Sequence, residues 1–248
     1  MDRLIYTAMT GARHILDQQA TTSNNLANAT TVGFRAQIDA FRAVPVVSEG
    51  MPTRAFVVDN TVGADFRPGP LETTGRPMDV AIRGEGWFAV QSPDGSEAYT
   101  RNGSFKVSEN GLLQTSGGLT LQSEGGGPIA VPPNTEISIS ADGTVSGIDA
   151  SQVQAGPTNI IGRLKLVNPD VAGLVRGDDG LFRQQSGEPA AADPAVRVAD
   201  GCLELSNVNP VDAMVNMITL ARSFETQMSL LKNAENNAAK AAQILALN

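Results

Sequence analysis

The segment 209–248 constrains this chain most. Asn209-Pro210-Val211-Asp212 opens a helix: Asn209 can cap it, Pro210 suits the first helical position, and Asp212 complements the helix dipole and reaches back in capping-box fashion. Beyond that start Met214, Met217, Ala221, Phe224, Met228, Leu231, Ala238, Ala242 and Leu245 recur at spacings of three and four, with Glu235 as the one break. This is the pattern of a heptad seam. A second apolar row, Val215, Ile218, Leu230, Ala234 and Ala241, runs beside it. A helix of about 35 residues is about 50 Å long, whereas a compact domain of about 120 residues has a radius of gyration of about 14 Å. The helix must therefore project, and its apolar face is wider than one partner helix covers. Each apolar side chain left wet forfeits roughly 1.5–3 kcal/mol.

The N-terminal segment has the same character. Ile5, Ala8, Ala12, Ile15, Gln19, Thr22 and Leu26 fall on one seam, with Leu4, Met9, Leu16 and Ser23 beside it. The helix should fail between Asn28 and Gly33, where Thr30, Thr31 and Val32 favour an extended chain and Gly33 lets it bend. Between the helical ends the composition turns to Gly, Pro, Val and Thr. Trp87-Phe88-Ala89-Val90 runs into the turn Ser92-Pro93-Asp94-Gly95. Phe105–Val107 and Leu112–Gln114 flank Ser108-Glu109-Asn110-Gly111, and Ile137–Ser140 turns at Asp142-Gly143 into Thr144–Ser146. Short strands are also expected at Leu164–Val167, Val196–Val198 and Leu203–Leu205. The expected fold is α+β: discontinuous N- and C-terminal coiled-coil helices flanking a central antiparallel β domain. Its parts are an N-terminal helix over 1–30, an extended connector over 31–75, a β-rich outer domain over 76–205 and a C-terminal helix over 206–248.

No chemistry stands out. Gly84-Glu85-Gly86-Trp87-Phe88-Ala89 matches a dinucleotide fingerprint in letters, but a strand follows it where the motif needs a helix. His14 is the only histidine and Cys202 the only cysteine, so neither a metal cluster nor a Cys/His dyad can be assembled around them. Asp178-Asp179 lacks the alternating acids of a calcium loop. There are no paired carboxylates for acid–base work and no Gly-x-Ser-x-Gly elbow. No catalytic residue, cofactor or metal is expected. The net charge of −8 argues against nucleic-acid binding, which needs a basic face, and against docking on an anionic membrane. No run of about 18 apolar residues supports direct membrane insertion, and Met1–Tyr6 has none of the marks of a signal peptide.

Four stretches together resemble the flagellar rod and hook proteins of the bacterial axial structure. Ser23-Asn24-Asn25-Leu26-Ala27-Asn28-Ala29-Thr30-Thr31-Val32-Gly33-Phe34-Arg35 looks like that family's N-terminal signature. Gly84–Val90 and Tyr99-Thr100-Arg101-Asn102-Gly103-Ser104-Phe105, continued by Gly111-Leu112-Leu113, are similar to its two central motifs. Ser206-Asn207-Val208-Asn209-Pro210-Val211 through Arg222-Ser223-Phe224-Glu225 resembles its C-terminal signature. The opening residues and the length look most like a proximal-rod member, with Ser23 standing where Ala is usual and Trp87-Phe88 where two Phe are common.

The resemblance implies a tube of helically stacked subunits, with the terminal helices inside and the β domain outside. The implied partners are copies of the chain itself, neighbouring proximal-rod and distal-rod subunits, and the flagellar type III export apparatus during secretion. The place implied is the periplasmic part of the basal body, reached without a cleaved signal peptide. The residues expected at the assembly interface are Ile5, Ala8, Ala12, Ile15, Leu26, Asn24, Asn25, Asn28, Met214, Met217, Ala221, Phe224, Met228, Leu231 and Leu245, with Gly33 as the chain bend. Apolar rows that no neighbour covers should leave both termini largely disordered before assembly. A distal-rod or hook subunit of the same family is the nearest alternative. A secreted β-domain enzyme or carbohydrate-binding module with helical tails is the alternative of another class.

Overall fold

Asn209 caps the C-terminal helix as its position suggests. Its side-chain oxygen accepts from the amides of Val211 and Asp212 (3.0 and 3.5 Å), and its carbonyl receives Ala213 N at 3.0 Å. In the computed structural model, which describes residues 2–45, 55–149 and 159–246, this helix, α2, covers Pro210–Ala246. The first helix, α1, covers Asp2–Ala27. The chain separates into two compact units: Met1–Ala29 with Ala36–Asp65 and Val208–Asn248, and Thr30–Arg35 with Phe66–Asn207. The class is α+β, with a helix at each end and a mainly antiparallel β core between them.

In the first unit α1 lies against α2. Gln37–Pro45 (β1) and Ala55–Ala64 (β2) pair antiparallel and also touch α1. Within 31–75, expected as an extended connector, the chain is thus extended but paired with itself. A bulge between Asp39 and Phe41 breaks the inside–outside alternation by which such a ribbon is recognised. Asn25 fixes its start: its amide nitrogen donates to Gln37 O at 2.9 Å, and its oxygen accepts from Gln37 N at 2.8 Å. Thr21 Oγ1 donates to Asp39 Oδ1 at 2.8 Å, and His14 meets Phe41 edge-on, with ring centroids 5.7 Å apart.

The second unit is built from short strands: Leu71–Thr73 (β3), Val80–Arg83 (β4), Trp87–Gln91 (β5), Glu97–Thr100 (β6), Phe105–Val107 (β7), Leu113–Thr115 (β8), Thr120–Leu121 (β9), Thr135–Ile139 (β10), Thr144–Asp149 (β11), Asn159–Arg163 (β12), Leu166–Val167 (β13), Leu174–Arg176 (β14), Phe182–Gln184 (β15), Arg197–Asp200 (β16) and Cys202–Glu204 (β17). The main sheet runs β14-β15-β6-β5-β9-β8-β7, with β13 also on β5. The meander β10-β11-β12 and the ribbons β16-β4 and β17-β3 complete it among the described residues. The turns close where Gly and Pro mark them, with Gly95, Gly111 and Gly143 donating to the carbonyls of Ser92, Ser108 and Ser140 at 2.9, 2.9 and 2.8 Å. Strands β4 and β5 are buried along nearly their whole length, whereas β10 and β11 alternate. One core results, with Val80, Phe88, Val90, Phe105, Leu113 and Val145 at its centre. Gly103 sits where no side chain fits, since a Cβ there would lie 1.5 Å from Val80 O.

A carboxylate shared by two guanidiniums is buried beside that core. Glu204 Oε1 lies 2.7 Å from Arg35 Nη1, and Glu204 Oε2 accepts from Arg101 Nη1 at 3.0 Å. All three side chains are at most 4 % exposed, so the charges are shielded from water. The Arg35 contact is a close ion pair off the hydrogen-bond axis. Gly69 N donates to Glu204 Oε1 at 2.9 Å, and Arg101 Nη2 donates to Gly84 O at 2.8 Å. The site carries one positive charge in excess. The Trp87 ring faces it, with the Arg101 and Arg35 guanidinium carbons 5.3 and 6.0 Å from its centroid. Phe182 and Phe66 pack on Trp87 in turn, at 4.7 and 6.0 Å. Burial pushes the Arg101 guanidinium below its ordinary value, and the charge of Glu204 pulls it back. Arg176, also pushed down by burial, stacks on Phe34 at 4.4 Å and donates to Arg35 O at 2.9 Å.

Removing the shared carboxylate strands two buried cations. Glu204→Gln is expected to cost about 3–5 kcal/mol of stability in urea denaturation. Arg35→Met leaves Glu204 and Arg101 as a balanced pair and is expected to cost well under half as much. A second expectation concerns Tyr99, whose hydroxyl accepts from Ala190 N (2.7 Å) and donates to Glu97 Oε1 (3.1 Å). Burial, and then the Glu97 charge, push its pKa up to about 12. The folded value lies above the ordinary one of about 10, so this contribution is whole below about pH 10 and is lost as the pH rises through about 12. In Tyr6→Phe protein, where Tyr99 is the remaining tyrosine, phenolate absorbance at 295 nm should appear near pH 12.

Candidate assembly surfaces

Each terminal helix has a covered stripe and an uncovered apolar one. On α1 the residues expected on the seam are the covered ones. Ala8 and Ala12 are buried, and Ile5, Ile15 and Leu26 are part-buried. Tyr6, Met9 and Leu16 stand exposed beside them.

On α2 the covered stripe runs through Ala213, Met217, Leu220, Phe224, Gln227, Leu231, Ala234 and Ala238, at alternating spacings of four and three, with Ser223 part-buried beside it. Met217, Phe224 and Leu231 are part-buried and common to this stripe and to the sequence-derived seam. The alternate positions differ by one residue, because Met214, Ala221 and Met228 are exposed while Ala213, Leu220 and Gln227 are covered. Small side chains explain the offset. Ala213 and Ala234 let the backbones approach, and the Gly11 Cβ position is 3.5 Å from the Gln227 side chain, so the glycine makes room for the amide. With Ala234 inside, Glu235 stays in water. The Leu245 side chain lies outside the described residues.

The uncovered stripe is strongest at the start of α2. Val211, Met214, Val215 and Ile218 recur at i, i+3, i+4 and i+7, and they are 65, 53, 56 and 56 % exposed. Apolar residues at this spacing share one helix face. Met228 and Leu230 are exposed further along.

The asparagines divide. Asn24 is exposed. Asn25 spends both ends of its amide on Gln37, and Asn28 donates to Asn24 O at 2.9 Å. Gly33 has φ of +70°, and a Cβ there would lie 2.4 Å from the Arg101 carbonyl carbon. The backbone therefore needs glycine at this point on two counts. Gly33 N donates to Glu204 O at 2.7 Å.

Motif residues of the first three stretches meet in the buried ion cluster, Arg35 from the first, Gly84 and Trp87 from the second and Arg101 from the third, and Glu204, just before the fourth, joins them. Their spacing along the chain does not announce this. The available signal is a charge set among apolar neighbours, as in Phe34-Arg35-Ala36 and Leu203-Glu204-Leu205.

Elsewhere an open groove of about 620 Å³ is lined by 107–111 and 131–136. It carries the carboxylates of Glu109 and Glu136 but neither histidine nor cysteine. Cys202 lies part-buried on β17, 3.7 Å from Thr73 Oγ1. Among the described residues no group of three or more His, Cys, Asp or Glu could hold a metal, and no helix is long and apolar enough to cross a membrane.

Comparison with known proteins bears on these same segments. Residues 5–35 match the family model of the flagella basal body rod protein, residues 81–147 that of the flagellar hook protein FlgE/F/G D1 domain, and residues 199–244 that of the flagellar basal body rod FlgEFG protein C-terminal region. The chain is 48 % identical over 254 residues to the flagellar basal-body rod protein FlgF of Escherichia coli, covering all of both chains. It is 46 % identical to the protein of that name in Salmonella typhimurium, again over all of both. The flagellar basal-body rod protein FlgG of Buchnera aphidicola is 34 % identical over 90 % of this chain and 92 % of its own. The chain belongs to the flagellar basal-body rod proteins and within them is FlgF-like.

Proposed function

We propose that this chain is a structural subunit of the proximal part of the flagellar basal-body rod, polymerising helically with copies of itself and with neighbouring rod subunits to transmit torque. The observation that carries the reading is the uncovered apolar face at Val211, Met214, Val215 and Ile218, on a helix whose other face already packs on α1. Four such side chains in water are a standing incentive to associate, at roughly 1.5–3 kcal/mol each when buried. A contact between unlike faces of identical subunits generates an open helical assembly when its rotation does not close a ring. The covered rows of α1 and α2 would then extend as a coiled coil within a helical inner layer, while the β unit forms the outer layer. Met214 and Met228, exposed in the single chain, fit contacts to neighbours; Met217, Phe224 and Leu231 fit the internal seam.

The role is structural, not catalytic. The relatives named FlgF match this chain over their whole length, which does not favour a distal-rod or hook position, an enzyme or a carbohydrate-binding module. Export through the flagellum's own type III apparatus, without a cleaved signal peptide, would bring the subunit to the periplasmic part of the basal body. Helices whose apolar rows await neighbours suit a chain that is threaded with its ends disordered and folds them on docking.

The test is a pair of substitutions on the uncovered face. Val215→Asp with Ile218→Asp should change the stability of the isolated chain by no more than about 1 kcal/mol, because both sites are exposed. The same pair should abolish incorporation of a labelled copy into purified basal bodies and stop swimming. Normal incorporation and normal swimming halos would remove the basis of the proposal.

A further inference from the structure

The sequence contains two Asn-Gly pairs, Asn102-Gly103 and Asn110-Gly111, and the fold treats them oppositely. Asparagine before glycine is prone to cyclise, because glycine carries no side chain to keep its amide nitrogen away from the asparagine side-chain carbon. The reaction has three needs. Solvent base must reach the glycine amide proton, the peptide must swing until its nitrogen meets asparagine Cγ, and the side-chain amide must be free to leave.

The first pair lies between β6 and β7 and meets none of these needs. Gly103 is buried, and a Cβ there would lie 1.5 Å from Val80 O and 3.3 Å from the Phe88 ring, so its backbone has no room to swing. Its carbonyl accepts from Val80 N at 2.9 Å. Asn102 Oδ1 accepts from Ser104 N at 3.0 Å, and Asn102 Nδ2 donates to Ser116 Oγ at 3.4 Å. Reaction at this pair requires the core around Phe88 to open.

The second pair sits at the tip of the β7–β8 hairpin. Asn110 is exposed and Gly111 part-buried. Among the described residues no hydrogen bond holds the Asn110 side-chain amide. A single bond restrains the peptide that must swing, from Gly111 N to Ser108 O at 2.9 Å. In an exposed turn such a bond opens at small cost. The frame on either side is held separately. Ser108 N donates to Leu112 O at 2.8 Å, Leu112 N donates to Ser108 Oγ at 3.0 Å, and Val131 N donates to Gly111 O at 2.7 Å. The hairpin therefore stays closed while the tip moves. A Cβ on Gly111 would lie 2.9 Å from Val131 O, so the packing that shapes this tip also keeps a glycine after Asn110.

We propose that Asn110 is a site of spontaneous deamidation in the folded protein, and that the fold protects Asn102 from the same reaction. The Gly111 nitrogen, its proton lost to hydroxide, attacks Asn110 Cγ. The new C–N bond forms, the Cγ–Nδ2 bond breaks, and Nδ2 takes a proton from water and leaves as ammonia. Water then opens the resulting succinimide. Opening at Cγ leaves an aspartate, and opening at the main-chain carbonyl leaves an isoaspartyl link with one more carbon in the backbone. Nothing is oxidised or reduced. Either product places a further carboxylate in the open groove that already carries Glu109 and Glu136, on a chain whose net charge is −8.

The test follows the full chain with time, folded in mildly alkaline buffer, and scores the two Asn-Gly peptides by mass spectrometry for loss of ammonia with gain of water. Electron-transfer fragmentation identifies isoaspartate. Asn110 is expected to convert at least about tenfold faster than Asn102, the fold holding the second site closed. In denaturing urea the two should convert at similar rates. Equal rates in the folded protein, or a difference that persists in urea, would overturn the proposal. On anion exchange the first acidic species to appear should be missing from Asn110→Gln protein, and its undiminished growth there would overturn the proposal as well. All of these readouts are taken on the isolated chain, so they succeed or fail independently of whether it enters a rod.

Discussion

One carboxylate facing two guanidiniums in the dry interior is the constraint around which the rest is arranged. A buried ion pair is a poor source of net stability, since desolvation offsets most of its attraction. Its value lies in intolerance, because a chain that fails to bring Glu204 to both Arg35 and Arg101 leaves a bare charge out of water. Those residues come from segments far apart in sequence, so satisfying the carboxylate fixes three parts of the chain at once. Trp87 under the guanidiniums, and Gly69 and Gly84 on the remaining polar positions, leave little room for an alternative arrangement. Gly33 is tied to the same constraint, because its left-handed backbone runs against the backbone of Arg101.

This explains why residues that carry a family likeness need not touch a ligand or a partner. Arg35, Trp87, Arg101 and Glu204 look like candidates for chemistry when read singly, as charges and an aromatic in Gly-rich motifs. In the structure they are spent on each other. The polar groups that stay available lie on the surface, and the helices carry a row of exposed apolar side chains, while others such as Ile160 and Leu71 lie on strands.

The legible parts of the fold were those set by local rules. The cap at Asn209, the Gly-marked turns, the strands with inside–outside alternation and the α1 seam all follow from neighbours within a few residues. The ribbon β1–β2 looks like a connector in the sequence because its bulge at Asp39–Phe41 shifts the alternation midway, and Pro45 lowers its strand character. The sequence pattern of α2 places the seam one residue off at alternate positions, because hydrophobicity favours Met214 and Met228 over Ala213 and Gln227. Packing against another helix favours small residues and a matching gap, here Gly11 opposite Gln227. The ion cluster was illegible for a different reason. Its partners are fixed by tertiary topology, and no periodicity connects residues 35, 101 and 204.

The offset in α2 bears on what the helix is for. A helix that only stabilised its own chain would turn its largest apolar side chains inward. Near its start α2 instead turns in Ala213, worth less than 1 kcal/mol for its single methyl, and turns Val211, Met214, Val215 and Ile218 out. The covered stripe further along includes an amide, Gln227, and two more alanines. Over the first two turns the apolar area is thus weighted toward the surface that the chain itself does not cover, whereas further along Leu220, Phe224 and Leu231 are turned in. Such a distribution costs solubility in a monomer and stabilises nothing there. It becomes favourable once a neighbour supplies the missing face.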